Sequence, residues 1–357
     1  MQHEQDWTGA IYRTVTARFF HRSVCIATGF GALLATSFAF HSLLPPSIPE
    51  GVAEKLEFFT RHKDEFDTIF LGTSRFYYAV SPKIFDNITR ENGVPTQTFN
   101  FGVDGMHPPE SFYVLEQILK TEPRKLKWVF LEVGNIQTHS TADVFGTERF
   151  LYWHDWPRTA LVLNKVIDPA GRAEWYVKLI RALRKQRELV LHLGLFEKQF
   201  ANVGRVADFL ASQTNVQPVE ASPKLGPKGD GHQLMERPPM SLERAERYRR
   251  KLTEEVFAAR PKLIDPYAEM AYRDYADKIR RLGASPVFVV TPDVFQSPLL
   301  FRKPAPPGPL LPFNDSRKYP QLYDAAMRVD NAHLTNEGAE EFTRLVALEF
   351  LRYARPP

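Results

Sequence analysis

Four short apolar runs restrict this chain more than any other feature. They fall at 68–71, 96–101, 127–133 and 285–290, and each ends at a turn. Their apolar character is nearly continuous rather than alternating. That pattern belongs to strands buried on both faces, as in a parallel sheet covered by helices. Helical patterns over 51–66, 83–88 and 109–119 separate or precede the first three runs, at the spacing of βαβ units. The expected class is therefore α/β. Composition agrees, since 43% hydrophobic and 25% charged residues form an ordinary globular balance. A chain of 357 residues also buries roughly three quarters of its unfolded surface.

A second feature precedes the first strand. Residues 24–44 carry no Asp, Glu, Lys or Arg, Arg13, Arg18 and Arg22 lie just before them, and Pro45, Pro46 and Pro49 follow. A bilayer core of ~30 Å needs ~20 apolar residues as helix. The expectation is a transmembrane signal anchor at 24–44, with 1–23 cytoplasmic and the remainder outside the cytoplasm. A signal peptide cleaved after Ser37-Phe38-Ala39, or a buried core helix, are the alternatives. The single cysteine, Cys25, can form no intrachain disulfide. It opens the apolar run instead of following one, unlike a lipidated cysteine.

The βαβ rhythm breaks at about 150–240. Residues 153–210 show apolar positions every three to four residues among aromatic and basic ones, an amphipathic helical insertion. It is expected to cap the site, pack on a partner or lie on a membrane interface. Residues 213–239 lack periodicity and are expected to form a flexible loop. Helices are expected at 241–260, 266–281 and 336–352, and 301–312 reads as irregular. The interleaved charges of 244–250 suit a solvated helical face, and 46 basic against 42 acidic residues do not imply nucleic acid.

Chemistry-bearing residues lie at the strand ends. Ser74 follows the first strand in a Gly-Thr-Ser turn, where it is either a nucleophile or the cap of the next helix. Gly102 ends the second strand and Asn135 follows the third. Either is a turn residue, or a donor to a developing oxyanion. Late in the chain come Asp330 and His333, three residues apart. Histidine is suited to moving protons near neutral pH, and an aspartate beside it can hold its ring in one tautomer. No Walker pattern, dinucleotide-binding glycine motif or zinc cluster is present, so neither metal nor cofactor is expected.

In this order, the four pieces resemble the SGNH/GDSL hydrolases, whose first block carries a serine after a strand and whose last is Asp-x-x-His. The segment Ile69-Phe70-Leu71-Gly72-Thr73-Ser74-Arg75, with Ser81-Pro82 after it, is similar to the membrane-anchored branch of that family. So is Tyr319-Pro320-Gln321-Leu322-Tyr323-Asp324. The resemblance implies a flavodoxin-like three-layer parallel-sheet sandwich over 51–357 with a helical insertion. It implies a serine esterase or O-acyltransferase with Ser74, His333 and Asp330 as triad, and Ser74, Gly102 and Asn135 as oxyanion hole. The implied substrate is an acyl ester of a cell-envelope polysaccharide on the periplasmic side of a bacterial inner membrane. The implied partner is a multi-pass membrane O-acyltransferase. One departure stands out: the third block reads Gly134-Asn135-Ile136-Gln137 where the family has Gly-x-Asn-Asp, so the asparagine is one place early. A non-catalytic envelope scaffold or carbohydrate-binding accessory on the same fold is the competing expectation.

Overall fold

The computed structural model of the chain describes residues 20–39, 48–138, 147–201, 223–302 and 305–354. Seven strands occur in chain order: β1 (Thr68–Gly72), β2 (Thr98–Gly102), β3 (Trp128–Glu132), β4 (Lys262–Leu263), β5 (Ser285–Val290), β6 (Leu299–Leu300) and β7 (Leu310–Pro312). Five form one parallel sheet in the order β2-β1-β3-β5-β7, and β4 pairs with β6 in a small separate ribbon. Counting only the strands of the large sheet, the order is 2-1-3-4-5, a doubly wound arrangement whose direction of winding reverses beside β1. The α/β class with a parallel sheet is thus as expected.

Helices cover both faces. On one lie α2 (Glu50–His62) and α5 (Glu110–Lys120), against Ile69, Leu71, Phe99, Phe101, Val129 and Leu131. On the other lies α4 (Pro82–Glu91), which follows the single turn α3 (Ser74–Tyr77). Successive strand residues point to opposite faces, so Phe70 and Phe130 turn to this second side. Their rings stack at 4.1 Å between centroids, with the Phe85 edge against both. Burying each such ring contributes about 1.5–3 kcal/mol.

Between β3 and β5 the chain leaves the sheet, and residues 202–210 of the expected helical insertion lie outside the described residues. The chain forms α6 (Glu148–Leu151), α7 (Trp156–Ile167), α8 (Trp175–Arg184) and α9 (Gln186–Ala201). It returns through α10 (Leu242–Ala258) and α11 (Pro266–Arg281), and the described chain closes with α12 (Asn336–Ala354). Helix α11 joins the first face and α12 the second. On α10 only Ala245 and Tyr248 are buried, so its charges face solvent.

Two expectations change. The proline-rich stretch read as irregular supplies the edge strand β7, parallel to β5. Three residues are too few to show a period, and Pro312 is tolerated because an edge strand need not donate every N–H. Of the loop expected at 213–239, residues 213–222 lie outside the described residues, while 223–239 is packed on the sheet edge. Asn100 N–H donates to Asp230 O at 2.9 Å, and Leu225 and His232 are buried. Gly231 (φ 83°) is needed there, because a Cβ would sit 2.1 Å from Asn100 O.

Ahead of the domain, α1 (Phe20–Ala39) has 20 residues and a mean hydropathy of 1.3. At ~1.5 Å per residue it is about 30 Å long, enough to cross a membrane. It starts four residues before the expected span, and residues 40–44 of that span lie outside the described residues.

Candidate active site at the carboxyl edge of the sheet

The turn after β1 is set by a carboxylate from β3. Glu132 Oε2 accepts the Thr73 N–H at 2.6 Å, while its Oε1 accepts from Thr291 Oγ1 at 3.1 Å and pairs with Arg75 Nε at 2.6 Å. Arg75 also pairs with Asp293 at 3.0 Å. Only glycine fits at 72, since a Cβ would lie 2.5 Å from Glu132 Oε2. Thr73, not Ser74, caps α3, its Oγ1 accepting from Arg75 N–H at 3.2 Å. The Ser74 hydroxyl is therefore not engaged as a cap.

It meets the far end of the chain. Ser74 Oγ lies 2.8 Å from His333 Nε2, and His333 Nδ1 lies 2.9 and 3.0 Å from the two Asp330 oxygens. A proton on Nδ1 donated to Asp330 leaves Nε2 as acceptor for the serine hydroxyl. Asp330 Oδ1 also accepts the N–H groups of Ala332 and His333, both at 2.8 Å. Half-burial alone would raise this carboxyl. The hydrogen bonds from the His333 ring and the two amides outweigh it and hold Asp330 well below the usual carboxylate range.

Two buried basic side chains hold the surrounding backbone by its carbonyl oxygens. Lys55 Nζ donates to Asn100 O, Gly102 O and Gly231 O at 3.1, 2.6 and 2.7 Å, tying α2 to the end of β2 and to the packed loop. Desolvation pushes its pKa well below the ordinary lysine value, partly offset by Asp230 and Asp104. Arg328, fully buried, donates to Leu322 O and Asn331 O at 2.8 Å and to Pro292 O and Asp330 O at 3.3 Å. It thereby shapes the loop that carries Asp330 and His333.

The serine faces a cavity of about 480 Å³ lined by Ser74, Tyr77, Tyr78, Asp104, His333 and the returning segments 223–224 and 233–237. Its wall is mostly polar. Tyr78 O–H donates to Asp104 Oδ2 at 2.8 Å, and Arg237 pairs with Asp330 Oδ2 at 2.8 Å. Met235 is pinned by both ends of the Asn336 amide, at 2.8 and 3.1 Å.

The other two expected site residues are placed differently. Gly102 N–H already donates to Asn100 Oδ1 at 2.8 Å, within a buried clamp in which Asn100 Nδ2 donates to Phe76 O and Val80 O. Asn135 Oδ1 accepts from Asp265 N–H at 3.1 Å, and the residue lines a separate cavity of about 360 Å³ with Lys165 and Arg302. The Gly102 N–H is thus already engaged, and Asn135 is not among the residues that line the serine's cavity. Ser74 N–H, at the start of α3, has no partner among the described residues.

Glu132, Asn100, Lys55, Arg328 and Arg237 are functional neighbours that the sequence motifs do not single out. A charged residue inside an apolar strand, as Glu132 is, was the available signal. Among the described residues no group of three or more His, Cys, Asp or Glu is placed to hold a metal ion. No protein-family model matches the chain, and no curated protein matches it either.

Proposed function

We propose that this chain is a serine esterase or O-acyltransferase of the SGNH type, with Ser74 as nucleophile. The observation that carries this reading is the continuous relay from Ser74 Oγ through the His333 ring to Asp330, each link within 3.0 Å. Its position at the carboxyl end of β1, beside the reversal of sheet winding, is where ligands bind in open α/β sheets. His333 Nε2 takes the hydroxyl proton as Ser74 Oγ bonds to the acyl carbon, and the carbonyl electron pair moves onto its oxygen. The Ser74 N–H is the donor available to that oxyanion. Collapse expels the alkoxide, which takes the proton from Nε2. Water or a hydroxyl acceptor then reverses the sequence and releases Ser74. Asp330 remains ionised and steadies the imidazolium. The polar cavity wall suits a glycan bearing a short acyl group. With α1 in the inner membrane, the domain would work on a cell-envelope polysaccharide beside a multi-pass O-acyltransferase.

The test is covalent labelling of the native full-length protein by a fluorophosphonate, followed by hydrolysis of p-nitrophenyl acetate. Both are expected, and both should vanish in Ser74→Ala. Labelling that persists in Ser74→Ala removes the assignment. The occupied Gly102 N–H and the turned Asn135 favour a second reading, a carbohydrate-binding scaffold on the same fold. Glycan binding without any labelling of Ser74 would establish that one.

A further inference from the structure

Helix α8 is oriented opposite to an ordinary surface helix. Its half-buried positions include Lys178 and Arg181, which face inward to the buried Asp168 at 3.2 and 4.0 Å. Its apolar stripe faces outward instead. Tyr176, Leu179, Ile180 and Leu183, at i, i+3, i+4 and i+7, are 52, 53, 47 and 65% exposed, and Trp175 before them is 74% exposed. A globular domain normally buries such a stripe. None of the ten residues of α8 is buried. On the adjoining α9, Val190 and Leu193 are exposed as well. An exposed apolar stripe of this kind marks an interaction surface.

Charge identifies the occupant. Residues 175–187 carry five basic side chains and no acidic one, of which Lys178 and Arg181 pair with Asp168 and Lys185 with Glu188. Arg184 and Arg187 are exposed and have no ion pair among the described residues. An apolar stripe opened by Trp-Tyr and rimmed by arginines has the composition of an interfacial helix on an anionic bilayer. Ten residues separate α1 from α2, a span of at most ~36 Å. A membrane-inserted α1 would therefore keep the domain close to the lipid surface. We propose that α8 is a second membrane contact, lying in the headgroup layer of an anionic leaflet with Tyr176, Leu179, Ile180 and Leu183 toward the acyl chains and Arg184 and Arg187 on lipid phosphates. This holds whether or not Ser74 is a nucleophile.

The experiment uses the full chain carrying Cys25→Ser and Leu179→Cys, labelled with an environment-sensitive fluorophore and reconstituted into vesicles. Vesicles containing phosphatidylglycerol should give a blue-shifted emission that spin-labelled lipid quenches. Pure phosphatidylcholine, or Arg184→Glu with Arg187→Glu, should return the label to a water-like emission. A label at Arg244→Cys, on the solvent face of α10, should stay water-like throughout. Leu183→Cys provides an independent site should the first variant misfold. Water-like emission at both sites in anionic vesicles overturns the proposal. So does a shift that is equal in neutral vesicles and grows with protein density, which would assign the face to a second copy of the chain.

Discussion

The carboxylate of Glu132, at the end of β3, accepts the backbone N–H of Thr73, at the end of β1, across 2.6 Å. This bond crosses between neighbouring parallel strands at their carboxyl ends. It orients the Gly72–Thr73 peptide, one peptide unit before that of Ser74. The same carboxylate holds Arg75, so the residues on both sides of the serine hang from one buried acid. Ser74 is thus presented by the sheet itself, not by a mobile loop.

Removing that acid should be costly. Glu132→Ala leaves the Thr73 amide and the Thr291 hydroxyl without their acceptor and Arg75 with Asp293 as its remaining ion-pair partner, a loss of roughly 3 kcal/mol. Glu132→Gln keeps an oxygen for the amide and should lose clearly less. Urea unfolding of the two variants measures the difference. Equal midpoints for wild type and Glu132→Ala would show that the network contributes nothing.

Asp330→Asn should leave the fold intact and lower kcat for ester hydrolysis by roughly 10³–10⁴-fold, because an amide can donate to Nδ1 and stabilise the wrong tautomer. Circular dichroism checks the fold and single-turnover kinetics the rate. A loss below about tenfold would mean that Asp330 does not orient the ring.

Asn135→Ala tests the placement of that side chain away from the serine. A genuine oxyanion donor would forfeit about 10²–10³ in kcat. The expected result here is near wild-type kcat with a slightly lowered melting temperature, since the substitution removes only the acceptor for Asp265 N–H.

Lys55→Met should destabilise the protein by on the order of 3 kcal/mol, because three buried carbonyl groups lose their donor. The pH dependence has a definite sign. The folded pKa of Lys55 lies below the ordinary value of ~10.4, so between the two the unfolded chain binds more protons. Wild-type stability attributable to this group rises with pH across that window and is lost as pH falls through the folded value. The variant should lack this slope in denaturation curves taken at a series of alkaline pH values.

Arg328→Lys preserves charge and breaks geometry. A lysine has three donors on one nitrogen and cannot span four carbonyl groups held by a planar fork. The expected outcome is a loss of about 2 kcal/mol in stability, with kcat falling because His333 rides on the same loop. A lysine variant with unchanged kcat would show that the loop is held by other contacts.

Four of the five strands of the large sheet could be read from the sequence, because a strand buried on both faces is a short uninterrupted apolar run whatever lies around it. Helices α5, α11 and α12 were legible for the matching reason, their stripes recurring every three to four residues. Edge strand β7 was not, since three residues, the last a proline, carry no period. The packed segment 223–239 was not either: its order comes from Lys55 and the sheet edge, not from its own residues. On α8 the periodicity was visible, but its direction was not.

Ser74, Asp330 and His333 were likewise visible as residue types in a suggestive order. Order along the chain says nothing about distance, and Ser74 and His333, 259 positions apart, are brought to 2.8 Å only by packing of α12 and its preceding loop on the sheet. The amino-acid sequence by itself determined the α/β class, the apolar N-terminal helix and the serine turn, because these depend on local pattern. Tertiary structure alone decided which neighbours the serine has. It brought His333 in and left Asn135 out, since hydrogen-bond partners are chosen by three-dimensional proximity and by the need of each buried polar group to find one.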